Sequence, residues 1–146
     1  MAQSLEEAQA TVDGFLMRLG LDGDVSEEGF WTARCGSTVL VVSTFSAEDH
    51  HYVRIAALVV MGARTSLDLL TRLLRLNAEA RLGAFQLFDD QTVAFTHTLQ
   101  LDGLSIDHFE VALRYVARVA DDHDEAISAL AGGMRGDDIL EASGDD

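Results

Sequence analysis

The chain has 146 residues, 48% of them hydrophobic, a net charge of −15, and ten basic residues that are all arginine. That suits one domain with a real core, and it excludes a Schiff-base lysine or a phosphate-loop lysine. So acidic a surface also repels phosphate backbones, which makes nucleic acid an unfavourable direct partner.

Ser4-Leu5-Glu6-Glu7 forms a capping box, with Glu7 placed to reach back to the Ser4 amide. Leu5, Ala8, Val12, Phe15, Leu16 and Leu19 then mark a helical stripe, and Gly20 is its stop. Residues 21–29 read as a polar loop. Asp22, Asp24, Ser26 and Glu28 alternate there like calcium ligands, but the sixth-position glycine and the final glutamate of an EF-hand loop are missing. A solvated turn is expected instead.

Three strands follow at 30–35, 38–45 and 52–60, rich in Val, Thr and aromatics. Gly36-Ser37 is a hairpin turn between the first two, and 46–51 is a longer charged connection. The third strand is apolar on both faces toward its end, which suits a central strand or an interface. Thr65 and Asp68 give a second capping signature. Leu67, Leu70, Leu73, Leu74 and Asn77 then share one helical face, flanked by Leu69 and Leu76. Strands at 84–88 and 92–99 flank Asp89-Asp90-Gln91, a loop of hairpin length.

Ser105 caps the last helix, with Leu104 and Phe109 at the two positions of a hydrophobic staple. Its inner face is Ile106, Phe109, Leu113, Val116 and Ala120, and Gly132-Gly133 ends it. Residues 121–146 hold nine acids and one arginine, which supplies −8 of the total −15. Residues 1–133 are therefore expected to be a single α+β domain, with 134–146 a disordered acidic tail.

The order α-β-β-β-α-β-β-α predicts a five-stranded, mostly antiparallel sheet with helices on one face. No window approaches the ~20 unbroken apolar residues of a membrane span, and MAQSLEEAQA lacks the basic and apolar regions of a signal peptide. Cys35 is the only cysteine, so a reducing cytoplasm is the expected location.

Some of these residues carry a resemblance. A leucine-rich helix ends in Leu76-Asn77 and leads to Gly83-Ala84-Phe85-Gln86-Leu87. Val93-Ala94-Phe95 follows, then Leu99-Gln100-Leu101-Asp102-Gly103-Leu104-Ser105 into a helix carrying Phe109, Leu113 and Val116. The pattern resembles the type III secretion chaperone-like fold, and more closely its YbjN-type branch of small bacterial proteins. The resemblance covers the middle and last thirds of the chain; the first helix and three strands agree in order alone. It implies a homodimer of α+β subunits. The secretion members bind an extended, unfolded stretch of a client protein. The YbjN members are described as sensory-transduction or stress regulators without known catalysis. The acidic tail and the missing lysines are not marks of that family.

No residue set forces a reaction. His50-His51 after Glu48-Asp49 would diverge in an extended loop, so a solvated turn is expected rather than a metal site. Asp121-Asp122-His123-Asp124-Glu125 reads as a charged helix face rather than a hydrolytic centre. His97 alternates with Val93 and Phe95 and is expected on the core side as a structural histidine. Cys35 beside Arg34 lacks a resolving thiol. Asn77 is expected to satisfy a backbone group near the end of its helix, and Gly83 to let the next strand approach that helix.

The expectation is thus a non-catalytic dimeric binding module, without cofactor or metal, that holds an extended client polypeptide. A YbjN-like regulator of a folded partner is the alternative, and an enzyme is disfavoured by the absent motifs. Apolar residues in surplus of one core are Val39, Val41, Val53, Ile55, Leu69 and Leu76, the candidate protein-binding positions.

Overall fold

The Ser4 hydroxyl accepts the Glu7 amide at 3.2 Å, satisfying one of the free N–H groups that open a helix. Helix α1 (Leu5–Arg18) follows. It ends where Gly20 turns left-handed at φ +73, so that the Leu21 N–H reaches the Leu16 carbonyl at 2.8 Å and the Gly20 N–H reaches that of Met17. The computed structural model describes residues 4–21, 24–25, 30–35, 38–132 and 134–135. After α1 come β1 (Asp24–Val25), β2 (Phe30–Cys35), β3 (Thr38–Ala47) and β4 (His50–Met61). Then follow α2 (Leu67–Glu79), β5 (Ala84–Leu87), β6 (Val93–Gln100), α3 (Ile106–Ala131) and β7 (Met134–Arg135).

Five main strands form an antiparallel sheet in the spatial order β2-β3-β4-β6-β5. The two-residue strands extend it: β1 lies outside β2, and β7 pairs with the end of β4. The main elements follow the predicted α+β order, with the helices on one face. The core forms between them. Val53, Ile55, Ala57 and Val59 of β4 alternate inward, with Leu40 and Val42 of β3 and Phe95 of β6 beside them. Ala8, Val12 and Leu16 of α1 and Phe109, Leu113, Val116 and Ala120 of α3 cover this face. Phe15 meets Phe109 at 5.3 Å between ring centroids, which joins the two helices. Trp31 of β2 donates its indole N–H to Asp13 of α1 at 3.1 Å.

The connection expected over 46–51 is instead a tight hairpin. The β3–β4 ladder runs to Ala47 and His50, and Glu48 and Asp49 turn with φ +50 and +68. Two positive-φ residues give the turn whose twist matches the flanking strands, so the charged stretch is strand ends and a turn.

Helix α2 is capped by Ser66, not by Thr65. The Ser66 hydroxyl accepts the Leu69 amide at 3.1 Å, while Thr65 donates to the Gln91 side chain. Its buried stripe is Leu69 and Leu73, with Leu76 half-buried; Leu67, Leu70 and Leu74 point outward. Leucines surround this helix, so packing against β5 and α3, not periodicity, selects the inner stripe.

Helix α3 begins as predicted, with the Ser105 hydroxyl accepting the His108 amide, and ends at Gly132 with φ +68. Asn77 takes both backbone groups of Phe85: its Oδ1 accepts the Phe85 N–H at 2.6 Å and its Nδ2 donates to the Phe85 carbonyl at 3.2 Å. The side chain thus stands where another strand would pair, and it closes the outer edge of β5. Gly83 serves a different approach from the one expected. A Cβ there would lie 2.4 Å from the Thr96 carbonyl oxygen, so the close neighbour is the β6 backbone rather than α2.

The tail expected over 134–146 lies outside the described residues except for Met134–Arg135, which pair with Met61 and Val60. Asp22, Ser26 and Glu28 of the calcium-like alternation also lie outside them.

Candidate protein-binding surface

Strand register places every second residue of the sheet on the face opposite the helices. Five cross-strand rows result, the last being Ala47 and His50 at the hairpin end. The first is Arg34, Val39, Leu58, Ala94 and Gln86; the second is Thr32, Val41, Ala56, Thr96 and Ala84. The third is Phe30, Ser43, Arg54 and Thr98; the fourth is Phe45, Tyr52 and Gln100. The outer positions are polar, and a central strip is apolar and aromatic. Val41, Phe45, Tyr52, Ala56 and Leu58 along it are half-buried, open enough to receive a partner.

One end of the strip is built from π-faces. Phe45 and Tyr52 stack at 5.3 Å between centroids. The Arg54 guanidinium lies 4.8 Å from the Phe45 ring centroid and its Nε donates to Thr98 Oγ1 at 3.4 Å. A flat, rigid, amphipathic platform follows, of the kind that takes apolar side chains on its face and carboxylates or carbonyls at the guanidinium.

The charge of this face differs from that of the whole chain. Within the first four rows of the main strands the charged groups are Arg34 and Arg54. Asp24 of β1 stands in register with Thr32 at the outer margin, and Asp102 sits past the fourth row. A chain of net charge −15 therefore presents one sheet face on which two arginines stand against two carboxylates.

A second apolar surface lies on α2. Leu67 is 80% and Leu74 71% exposed, and Leu70 completes the outward stripe at helical spacing. Beside it runs an open groove of about 620 Å³ lined by Asp68, Thr71, Arg72, Arg75, Leu76, Glu79 and Leu130.

The six expected binding positions separate in the structure. Val53, Ile55 and Leu69 are core residues beneath the helices, so they pack the domain and present no surface. Val39 is on the helix-free face but only 2% exposed. Val41 lies in the central strip, and Leu76 lines the α2 groove. Sequence reasoning missed Phe45, Tyr52, Arg54, Ala56 and Leu58. The available signal was Arg54 itself: one charge within an apolar strand marks the outward parity, and hairpin register carries that parity to β3.

The titratable clusters are small and exposed. His50 Nδ1 lies 3.2 Å from Asp102 Oδ2, and Gln100 donates to the same oxygen at 3.1 Å. The hydrogen bond from Gln100, and then that from His50, lower the Asp102 pKa. Ser46 and His51 pair at 2.6 Å across the hairpin, and both are strand-end side chains in an open setting. His97 is half-buried on the helix side of β6, and burial lowers its pKa, which keeps it neutral. Cys35 lies on the helix side while Arg34 points to the other face, so sequence neighbours are not spatial partners. His123 of α3 meets Phe85 edge-on at 6.2 Å, within a charged helix face. No group of three or more His, Cys, Asp or Glu among the described residues is placed to hold a metal ion. No described helix is long and apolar enough to cross a membrane.

Residues 6–138 match the family described as T3SS (YopN, CesT) and YbjN peptide-binding chaperone 1. The chain belongs to this family. The chaperone family's fold also appears in solved structures. The ExsC–ExsE complex matches with TM-score 0.64 and 15% identity, over 90% of this chain and 100% of that one. YbjN from E. coli matches with TM-score 0.65 and 13% identity, over 86% and 96%. The Yersinia pestis type III secretion chaperone SycH, in complex with a stable fragment of YscM2, matches with TM-score 0.58 and 16% identity, over 79% and 98%. At these identities the likeness shows a shared fold. No curated protein matches the sequence.

Proposed function

We propose that this chain is a non-catalytic protein-binding module of the cytoplasm that works as a homodimer and holds an extended client polypeptide against the helix-free face of its sheet. One observation carries the proposal: a strip of Val41, Phe45, Tyr52, Ala56 and Leu58 crosses that face with no helix of the described residues over it. An extended segment laid along it can insert alternate side chains between the rows. Membership in a peptide-binding chaperone family supports this, as do neighbours solved as complexes, ExsC with ExsE and SycH with a YscM2 fragment.

The outer stripe of α2 supports the dimer. If two copies pair antiparallel along Leu67, Leu70 and Leu74, Asp68 comes opposite Arg75 of the partner subunit, so the patch is complementary to itself. Light scattering at micromolar concentration should give twice the 15.8 kDa of one chain, and Leu74→Glu should return it to a monomer. Only the one-chain mass in the wild type would reject the dimer.

The client reading is tested with a labelled, permanently unfolded probe, reduced and carboxymethylated lactalbumin. Val41→Asp and Tyr52→Asp variants that stay folded by circular dichroism should lose at least tenfold in affinity. If the wild type binds no unfolded chain but captures one folded protein stoichiometrically, the YbjN-like regulator takes its place.

A further inference from the structure

Three polar side chains form a hydrogen-bonded triangle at the hairpin end of the client face. His50 Nδ1 lies 3.2 Å from Asp102 Oδ2 and 3.3 Å from Gln100 Nε2, and Gln100 Nε2 donates to the same Asp102 oxygen at 3.1 Å. We propose that this triangle is a proton-operated charge gate for client segments: protonation of His50 cancels the charge of Asp102 and turns the face toward acidic segments. This rests on the client-face reading above and adds its regulation.

Backbone geometry holds the triangle on that face. His50 and Tyr52 are two residues apart on β4, so they stand on the same side of the sheet, about 7 Å apart along the strand. Gln100 lies opposite Tyr52 in the β4–β6 ladder. Asp102 follows just past β6. There the Leu101 N–H reaches the His51 carbonyl at 2.8 Å, and the Leu104 N–H reaches the Leu101 carbonyl at 3.0 Å. Leu101 is only 3% exposed, which anchors the turn that carries Asp102. On the other side, Glu48 and Asp49 make the tight turn that fixes where β4 begins.

One ring nitrogen faces two different neighbours, and its proton decides which of them it serves. In the neutral ring with its proton on Nε2, Nδ1 accepts from Gln100, and Asp102 keeps its full charge at the margin of the face. In the protonated ring Nδ1–H donates to Asp102 in a charge-assisted bond, and the Gln100 N–H that faced Nδ1 is released. Asp102 stays ionised in both states, because hydrogen bonds from Gln100 and then His50 hold its pKa below the ordinary carboxylate value. Histidine is the side chain that changes charge between about pH 5 and 8. The face thus passes from two arginines against two carboxylates to three cations against two. The other ionisable neighbours are Tyr52, the turn carboxylates Glu48 and Asp49, and His51, which points to the opposite side of β4 and pairs with Ser46. Arg54 is about 13 Å away along β4, beyond the ~8 Å over which charges act across solvent.

The test uses the full chain and two rhodamine-labelled unfolded peptides of equal apolar content, one carrying aspartates and the other lysines. Binding is measured at about pH 7.5 and about pH 5.5, where both peptides keep their charges. At the lower pH the wild type should bind the aspartate peptide about threefold more tightly and the lysine peptide about threefold more weakly, the size expected of one charge acting across ~7 Å of water. His50→Gln should abolish both changes. Asp102→Asn should bind the aspartate peptide at the higher pH as tightly as the wild type does at the lower. Wild-type binding that ignores pH overturns the proposal, and so does a response of the same size that survives His50→Gln. Nuclear magnetic resonance reads the triangle without any peptide: the Gln100 side-chain amide signal should shift as His50 titrates, and a fixed signal also overturns the proposal. Val41→Asp separates the two levels. If it weakens both peptides while neither responds to pH through His50, the client face stands and the gate is refuted. If binding ignores Val41→Asp yet keeps its His50-dependent response, the sheet-face reading fails and the gate belongs to the hairpin end alone. Binding of neither peptide up to ~1 mM overturns both.

Discussion

Asn77→Ala should destabilise the fold by about 2–3 kcal/mol, and the reason is local. The amide makes two hydrogen bonds to one residue, at 2.6 Å to the Phe85 N–H and 3.2 Å to its carbonyl. Phe85 is only 5% exposed, so water replaces these bonds poorly when the side chain is cut back. Each lost bond contributes about 1 kcal/mol, and stranding a shielded N–H or C=O adds about 1 more. Over 146 residues that loss lowers Tm by roughly 6–10 °C. Asn77→Asp should fall between alanine and wild type, because a carboxylate still accepts from the N–H but cannot donate to the carbonyl. Urea unfolding at one fixed protein concentration measures this, since a dimer makes stability concentration-dependent. A loss below ~0.5 kcal/mol for Asn77→Ala would refute the edge-closing role, because that is the scatter of ordinary surface changes. Client binding should survive in the variant, since the client face lies elsewhere.

Gly83→Ala should cost at least about 2 kcal/mol, combining a left-handed backbone with overpacking. Its Cβ would sit 2.4 Å from a backbone oxygen that cannot rotate away, and a thermal melt within 1–2 °C of wild type would contradict this. The lowered pKa of His97 sets a pH dependence. Its neutral form is favoured in the fold, so the contribution is full above the ordinary 6.5 and is lost as pH falls through the lowered folded value. Stability should therefore decline on acidification below neutrality, and His97→Gln should flatten that slope; an unchanged slope assigns it to other groups. Asp102 acts in a separate window, contributing above the ordinary 3.8 and failing as pH falls through its lowered value, so Asp102→Asn should alter only the most acid limb. Chelator should leave Tm unchanged, and a marked drop with EDTA would instead point to a metal held near His50 and Asp102.

Element types were legible because local chemistry dictates them here. Ser4, Ser105, Gly20 and Gly132 mark helix ends through hydrogen bonds made within one turn, and those positions hold in the structure. Strand parity was legible in β4 as well, since Val53, Ile55 and Val59 alternate inward. What the sequence left open was which apolar set meets which neighbour. Leu69 and Leu67 differ by two positions on one leucine-rich helix, yet one is fully buried and the other 80% exposed. Helical periodicity permits either stripe, and only the placement of β5 and α3 decides. The 46–51 stretch failed for a related reason: its charges read as a loop, whereas a cross-strand ladder to Ala47 and His50 overrode the local composition.

The client face was hidden by the same kind of ambiguity, and resolving it softens the charge preference expected of clients. Net charge alone favours neutral or basic clients for an acidic chain. Register offsets this locally. Arg34 and Arg54 share a face with Val41 from two other strands, seven positions before it and thirteen after it, and Asp24 and Asp102 stand at the margins of the same face. Most other carboxylates lie on the three helices, on turns and beyond Arg135 in the sequence. At physiological salt, charges more than about 8 Å apart across solvent are largely screened. A segment lying on the sheet therefore meets two guanidiniums and two carboxylates rather than the full charge of −15. Unfolded probes of equal apolarity should accordingly bind in a shallow order, basic before neutral before acidic. Raising salt should narrow that order from both ends. A steep preference for basic probes at low salt would mean that the net charge, not the face, governs binding, and it would remove the basis for placing clients on the helix-free side.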